Sequence, residues 1–266
     1  MRNSILYILG VLSVFLLLQK TIDYNMILGI NTSDLSFAEL LNKSLKNTII
    51  IILAIFFYLK TRKNLKESYS VLKISNIPVT LILLLISFVL FFLVSSKFEF
   101  VSTDLIILFL ISCLSTGFAE EIVFRGIIQS KLVSEYDKIK GVVLCSCIFG
   151  LLHFLNLFKD SDNIYGITNQ VFFTISIGTI FGGLVIKTKN LLAVGVFHGI
   201  INFTLSFDMI MPEEFLINNI VENKSQILSL VITYFFFLIL FSIGILLIKS
   251  EVDKNQMPTS RSPRIP

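Results

Sequence analysis

The sequence contains no tryptophan and has only two histidines and three cysteines among its 266 residues. Cys145 and Cys147 stand two positions apart, so neither a disulfide framework nor a CxxC metal site is predicted. The cysteines are expected to be small buried hydrophobes. Charged residues make up only 15% of the chain, and the basic ones flank apolar runs instead of clustering. We therefore do not expect a nucleic-acid partner.

Apolar residues are abundant: 55% of the chain is hydrophobic, and the mean hydropathy is +0.86. A soluble domain of this size would be less apolar, so the lipid bilayer is the expected surroundings. The fold class is predicted to be all-α, a polytopic bundle of about eight transmembrane helices. The predicted spans are residues 5–18, 47–59, 77–96, 105–128, 141–158, 165–186, 191–207 and 227–248.

Basic residues are distributed unevenly between the predicted loops. With both termini cytoplasmic, the inner segments carry 16 lysines and arginines, and the outer segments carry 6. The positive-inside rule then predicts that both termini are cytoplasmic. Residues 20–46 are expected to be a polar outer segment with a turn or helix cap at 31–34, and residues 129–140 a charged inner loop. The Ile-, Phe-, Lys- and Asn-rich composition suggests a bacterium with an AT-rich genome, so a bacterial cell membrane is the expected location and a prenylated substrate is less expected.

Four regions follow from this pattern. Residues 1–100 are predicted to be flanking transmembrane helices, and residues 101–210 a core that carries the polar motifs. Residues 211–250 would form an outer loop and the last transmembrane helix. Residues 251–266 are polar and are expected to be a disordered tail.

Two adjacent carboxylates interrupt the fourth predicted span. Only 15 apolar residues precede Glu120, so the helix is expected to continue toward Ile128 and to hold both acids inside the membrane. Charges at that depth indicate a functional site by default. A structural ion pair between Glu121 and Arg125, four residues apart, would explain only one of the two acids.

Both histidines also lie within predicted spans. His153 follows Phe149 by four residues, and Asn202 follows His198 by four, so each pair shares a helix face. Counted along the helices from the inner face, Glu120, His153 and His198 lie at roughly 11–18 Å. Converging at that depth, they would form one site reached from the cytoplasm. Close helix packing is expected at two GxxxG motifs, residues 178–182 and 195–199.

These side chains suit amide hydrolysis in two ways. Glu120 and His153 could position and deprotonate a water molecule, while His198 and Asn202 donate hydrogen bonds to the oxyanion. Alternatively, Glu120, His153 and His198 supply the three-ligand count of a catalytic zinc site, although no HExxH is present. Residue spacing does not decide between a metal-free site and a Zn²⁺ site, and no other cofactor is implied.

Three motifs in order, Glu120-Glu121-x-x-x-Arg125, Phe149-x-x-x-His153 and His198-x-x-x-Asn202, resemble the CPBP family. These are Abi-like intramembrane proteases, which include the type II CAAX prenyl proteases and bacteriocin-processing enzymes. The resemblance covers roughly residues 105–207. It implies that Glu120 and His153 activate the catalytic water, that His198 and Asn202 complete the site, and that Glu121 and Arg125 support it.

We therefore predict an intramembrane endopeptidase that cleaves a peptide or membrane-protein substrate on the cytoplasmic side. A non-catalytic membrane protein, either a bacteriocin-immunity factor or a scaffold, is the alternative. An ion or proton transporter ranks last, because the sequence contains no inverted repeat.

Overall fold

The computed structural model describes residues 2–20, 35–65, 68–73, 76–158, 161–211 and 226–256. These residues fold into a helical bundle. Its α-helices are α1 (Arg2–Lys20), α2 (Leu35–Thr61), α3 (Ile77–Val94), α4 (Thr103–Glu121), α5 (Ser130–Glu135), α6 (Lys138–Leu151), α7 (Ile164–Thr188), α8 (Leu191–Ser206) and α9 (Gln226–Gln256). Pro78 stands in the first turn of α3, where its missing N–H is not needed.

The predicted transmembrane bundle is confirmed. Within the described ranges, seven helices are long and apolar enough to cross a membrane, and an eighth apolar helix, Ile5–Gln19, is shorter. Many side chains on α3 and α9 are apolar and exposed, as expected for helices that face lipid. The cytoplasmic location of both termini stays a prediction.

Three predicted boundaries were wrong. The helix that holds the second span begins at Leu35 instead of 47, so residues 35–46 of the predicted polar segment are helical; the predicted turn at 31–34 lies outside the described residues. The fourth span runs on to Glu135 where a loop was expected: Leu132 and Val133 continue its buried face, and Lys131 and Glu135 form an ion pair at 3.1 Å on the other. The last helix reaches Gln256, so residues 251–256 of the predicted disordered tail are helical. Residues 257–266 are not described.

The fourth span changes its winding directly after the paired acids. Residues Ile122–Gln129 form a π-helix between α4 and α5. The Ser130 hydroxyl donates to the Arg125 carbonyl, five residues back, at 3.2 Å. Every residue of this segment is buried. Such π segments are rare and occur frequently at functional sites.

Glycines bring α4 and α8 into backbone contact. A Cβ atom added to Gly117 would lie 2.5 Å from the Gly199 nitrogen and 2.8 Å from the Gly195 carbonyl oxygen. The predicted close packing at residues 195–199 is therefore confirmed, and its partner is Gly117. This crossing lies three residues before Glu120 and next to His198, so it sets the spacing between the two motifs.

Candidate active site

A cavity of about 780 Å³ lies among α2, α4, α7 and α8. Glu120, Phe149, His153, His198 and Asn202 all line it. Four predicted catalytic residues from three separate spans thus line one cavity. The volume falls within the range of small-molecule and peptide sites.

The core of the site is a chain of four charged or polar side chains. Arg125 Nε lies 3.4 Å from Glu121 Oε2, and Glu121 Oε1 lies 3.0 Å from His198 Nδ1. His198 Nε2 lies 3.6 Å from Glu120 Oε2. The side chains of Glu121 and Arg125 are fully buried, whereas that of Glu120 is 19% exposed. The two neighbouring acids are therefore distinct: Glu121 faces the interior, and Glu120 faces the cavity.

The bond to Glu121 fixes the orientation of His198. An ionised carboxylate only accepts hydrogen bonds, so the Nδ1 atom of His198 must carry the hydrogen. The Nε2 atom is then directed at Glu120, and it carries a hydrogen only when the ring is doubly protonated. Phe181 packs on the same ring, with 4.6 Å between the ring centroids. His198 is thus held from one side by a buried carboxylate and from another by an aromatic face.

His153 belongs to the same wall but has different partners. It lies on the 3₁₀ segment Leu152–Phe158 that follows α6, and its Nδ1 is 3.1 Å from the Phe149 carbonyl oxygen. Because a carbonyl only accepts, Nδ1 is the donor, and Nε2 of the neutral ring is left as an acceptor. The Phe149 ring makes edge contacts with both His153 and His198, at 5.4 and 6.1 Å between centroids. Phe149 therefore braces both histidines.

The buried guanidinium of Arg125 is held by a backbone carbonyl of α7. The guanidinium of Arg125 donates to the Gly178 carbonyl at 3.3 Å, and Gln129, four residues on, donates to the Gly182 carbonyl at 3.2 Å. These carbonyls belong to the first predicted GxxxG motif. Since neither glycine has a side chain, the two long polar groups can reach the backbone of α7. Arg125 also lies 4.9 Å above the centre of the Phe149 ring.

One polar contact near the site was missed by the sequence reasoning. Asn47 is fully buried and donates to Thr116 at 2.8 Å, and it accepts from Gln19 at 3.2 Å. Thr116 and Gln19 both line the cavity. Asn47 thus fastens α1 and α2 to α4 one turn before Glu120. A buried amide inside a predicted span was the signal that could have revealed it.

The zinc alternative needs three ligands at one point. In the part of the chain that the structure describes, no group of three His, Cys, Asp or Glu side chains is placed to hold a metal ion. Both ring nitrogens of His198 already face carboxylates, and Nδ1 of His153 faces a carbonyl. The donors as arranged do not fit a three-ligand zinc site, and a metal requirement stays a prediction.

Taken together, the apolar helices and the acid–histidine site define an integral membrane protein with a polar cavity. The model of the family described as type II CAAX prenyl endopeptidase, Rce1-like, matches residues 102–204. The resemblance predicted from the three motifs is confirmed over this segment, which holds all of them. That family is one of intramembrane proteases, so the match indicates a peptidase. No curated protein and no solved structure matches the chain.

Proposed function

We propose that this protein is an intramembrane endopeptidase in which Glu120 and His153 activate water to hydrolyse a peptide bond. The observation that supports it most is the contact chain from Arg125 through Glu121 and His198 to Glu120, in the wall of a large cavity. A purely structural ion pair would need only Glu121 and Arg125. It would leave the cavity-facing acid and its histidine without a role.

The proposed reaction assigns each of these groups a step. Glu120 takes a proton from water, and the hydroxide forms a bond to the carbonyl carbon of the substrate. His153, with its Nε2 free to accept, shares in holding that water and its proton. The carbonyl oxygen becomes an oxyanion, which accepts hydrogen bonds from the Asn202 amide and from doubly protonated His198. The C–N bond then breaks, and the proton passes to the leaving amine.

Glu121 and Arg125 act by positioning. Glu121 holds Nδ1 of His198, and Arg125 compensates the buried charge of Glu121. A carboxylate without this cation would be costly in the membrane interior. We propose a peptide or membrane-associated polypeptide as the substrate, and the lipid bilayer as the surroundings from which it is reached.

The test compares cells that carry the wild type, Glu120→Gln or Glu39→Gln, by sequencing the new peptide ends in membrane and secreted fractions. Glu39 lines the same cavity but has no role in the reaction, so it is a matched control. We expect the same new peptide ends with the wild type and with Glu39→Gln. With Glu120→Gln they should be reduced by at least about 100-fold, because the general base is lost. Equal ends with all three proteins, at equal abundance, would contradict the proposal.

One observation favours the non-catalytic alternative: Arg125 also ties α7 to the π-helix, so part of the motif has a structural use. An immunity or scaffold protein would need this bracing and no chemistry. In that case Glu120→Gln would leave the cellular phenotype unchanged, and Arg125→Ala would lower the abundance of the protein.

A further inference from the structure

The bundle has two chemically different ends. At one end, here called the basic end, α2, α5, α7 and α9 finish while α3, α6 and α8 begin. Backbone bonds join residues 70–71 to 189–192 there, with Leu191 N–H donating to the Ser70 carbonyl at 2.8 Å. Lys187 also reaches Ser250 on α9 at 3.5 Å. The opposite end is the cavity end, where Lys97 pairs with Asp208 and Asn156 bonds Gln170.

Basic side chains are concentrated at the first of these ends. Among the residues whose side chains the structure describes, ten lysines and arginines lie at the basic end, and three lie at the cavity end. Those at the basic end are Lys60, Arg62, Lys63, Lys73, Lys131, Lys138, Lys140, Lys187, Lys189 and Lys249. Those at the cavity end are Lys43, Lys46 and Lys97. The positive-inside rule places the basic end in the cytoplasm.

The mouth of the cavity lies at the other end. Its lining there comes from the end of α1, the first half of α2 and the end of α8, and the cavity reaches inward along α4 and α7 to Glu120 and Phe181. Polar side chains such as Gln19, Lys43, Lys46 and Ser206 surround its mouth. Toward the basic end, the π-helix and its neighbours close the bundle: Phe124, Arg125 and Gln129 are each at most 1% exposed.

The geometry points to a catalytic cavity that opens to the extracytoplasmic face. This reverses the expectation of cytoplasmic access, which assumed that the fourth span ends near 128–131. Since that helix continues to Glu135, the buried π-helix and α5 both lie between Glu120 and the basic end.

Access from outside narrows the substrate class. Building on the proposed function, we infer that the substrate is a polypeptide segment that has already crossed the membrane. It would be an exported peptide, or the external stretch of a membrane-anchored protein close to the outer leaflet. The cytoplasmic C-terminus of a prenylated protein would lie on the wrong side of the buried π-helix.

Single-cysteine labelling tests the direction of opening without requiring activity. Met209→Cys reports the cavity end, since Met209 lines the cavity and is 79% exposed. Asn202→Cys reports the cavity interior, and Tyr136→Cys reports the basic end, where Tyr136 is 38% exposed. Each variant is made in a chain whose three native cysteines are replaced by alanine. Labelling with a membrane-impermeant maleimide is compared between intact and permeabilised cells.

We expect at least tenfold more labelling of Met209→Cys and Asn202→Cys than of Tyr136→Cys in intact cells, with all three labelled after permeabilisation. Labelling of Tyr136→Cys alone in intact cells would overturn the inference. So would labelling of Asn202→Cys only after permeabilisation, because the cavity would then open inward. If the cysteine-free chain fails to fold, the same variants can be compared with the background labelling of the wild type, which measures the half-buried Cys147 and the cavity-lining Cys113. Failure of the proposed peptidase activity would leave this result unaffected.

Discussion

Gly117→Ala is expected to separate the two helices that carry the acids and His198. The added Cβ would lie 2.5 Å from the Gly199 nitrogen, 2.8 Å from the Gly195 oxygen and 2.9 Å from the Gly199 Cα. All three are backbone atoms, so no side chain can rotate away. The helices must move apart by about 0.9 Å before the shortest contact reaches the ordinary 3.4 Å. Overpacking of this kind costs about 1–3 kcal/mol.

The same displacement would also separate Glu121 from His198. Glu121 and His198 are 3.0 Å apart across this crossing, and a shift of nearly 1 Å would break their hydrogen bond. A misplacement of about 1 Å can lower a rate by roughly 100-fold. Thermal unfolding in detergent and the yield of new peptide ends would measure the two effects.

Gly10→Ala is the matched control, because a Cβ there meets nothing within 4 Å. It should keep wild-type cleavage and a melting temperature at or slightly above that of the wild type. If Gly117→Ala matches Gly10→Ala in both measurements, the helix crossing does not hold the site. If Gly117→Ala unfolds earlier yet cleaves normally, the crossing supports the fold alone.

Three further predictions follow. Arg125→Lys keeps the charge but cannot reach Glu121 and the Gly178 carbonyl together, so cleavage should fall while melting in detergent drops less than in Arg125→Ala. In Arg125→Ala the buried Glu121 loses its cation, which costs about 3–5 kcal/mol; equal melting of the two variants would argue against this. Chelation should leave cleavage intact, because His198 already contacts two carboxylates; loss of cleavage that zinc alone restores would revive the metal site. Asp137 caps α6 and accepts a hydrogen bond from the Lys140 N–H, which lowers the pKa of the Asp137 carboxyl. Its contribution to stability should thus be present near neutral pH and lost as the pH falls through that lowered pKa, whereas melting of Asp137→Asn should not show this step.

The sequence was most informative where charge interrupted apolar runs. Glu120, Glu121, Arg125 and both histidines stood out because a polar group within a membrane span is costly without a role. The pairing of Glu121 with His198 could not be predicted, since it depends on where α4 crosses α8. The motif at residues 195–199 indicated a close crossing but did not indicate Gly117 as the partner.

Polar residues also led to wrong predictions where they belong to helices instead of loops. The first turns of α2 are polar because they border the cavity, so they resembled a loop. Lys131 and Glu135 also resembled a loop, although their spacing allows a helical ion pair. The π-helix leaves no distinct period in an almost wholly apolar stretch, so its winding could not be predicted.

The cavity also bears on how such a protein can diversify. The side chains of the proposed reaction all lie inside residues 102–204, whereas Gln19, Lys43 and Lys46 at the mouth come from helices outside that segment. The proposed catalytic residues and the residues at the cavity entrance are thus encoded in different stretches of the gene. Exchanging α1 and the start of α2 between related chains could redirect such an enzyme to new targets without altering how it cuts.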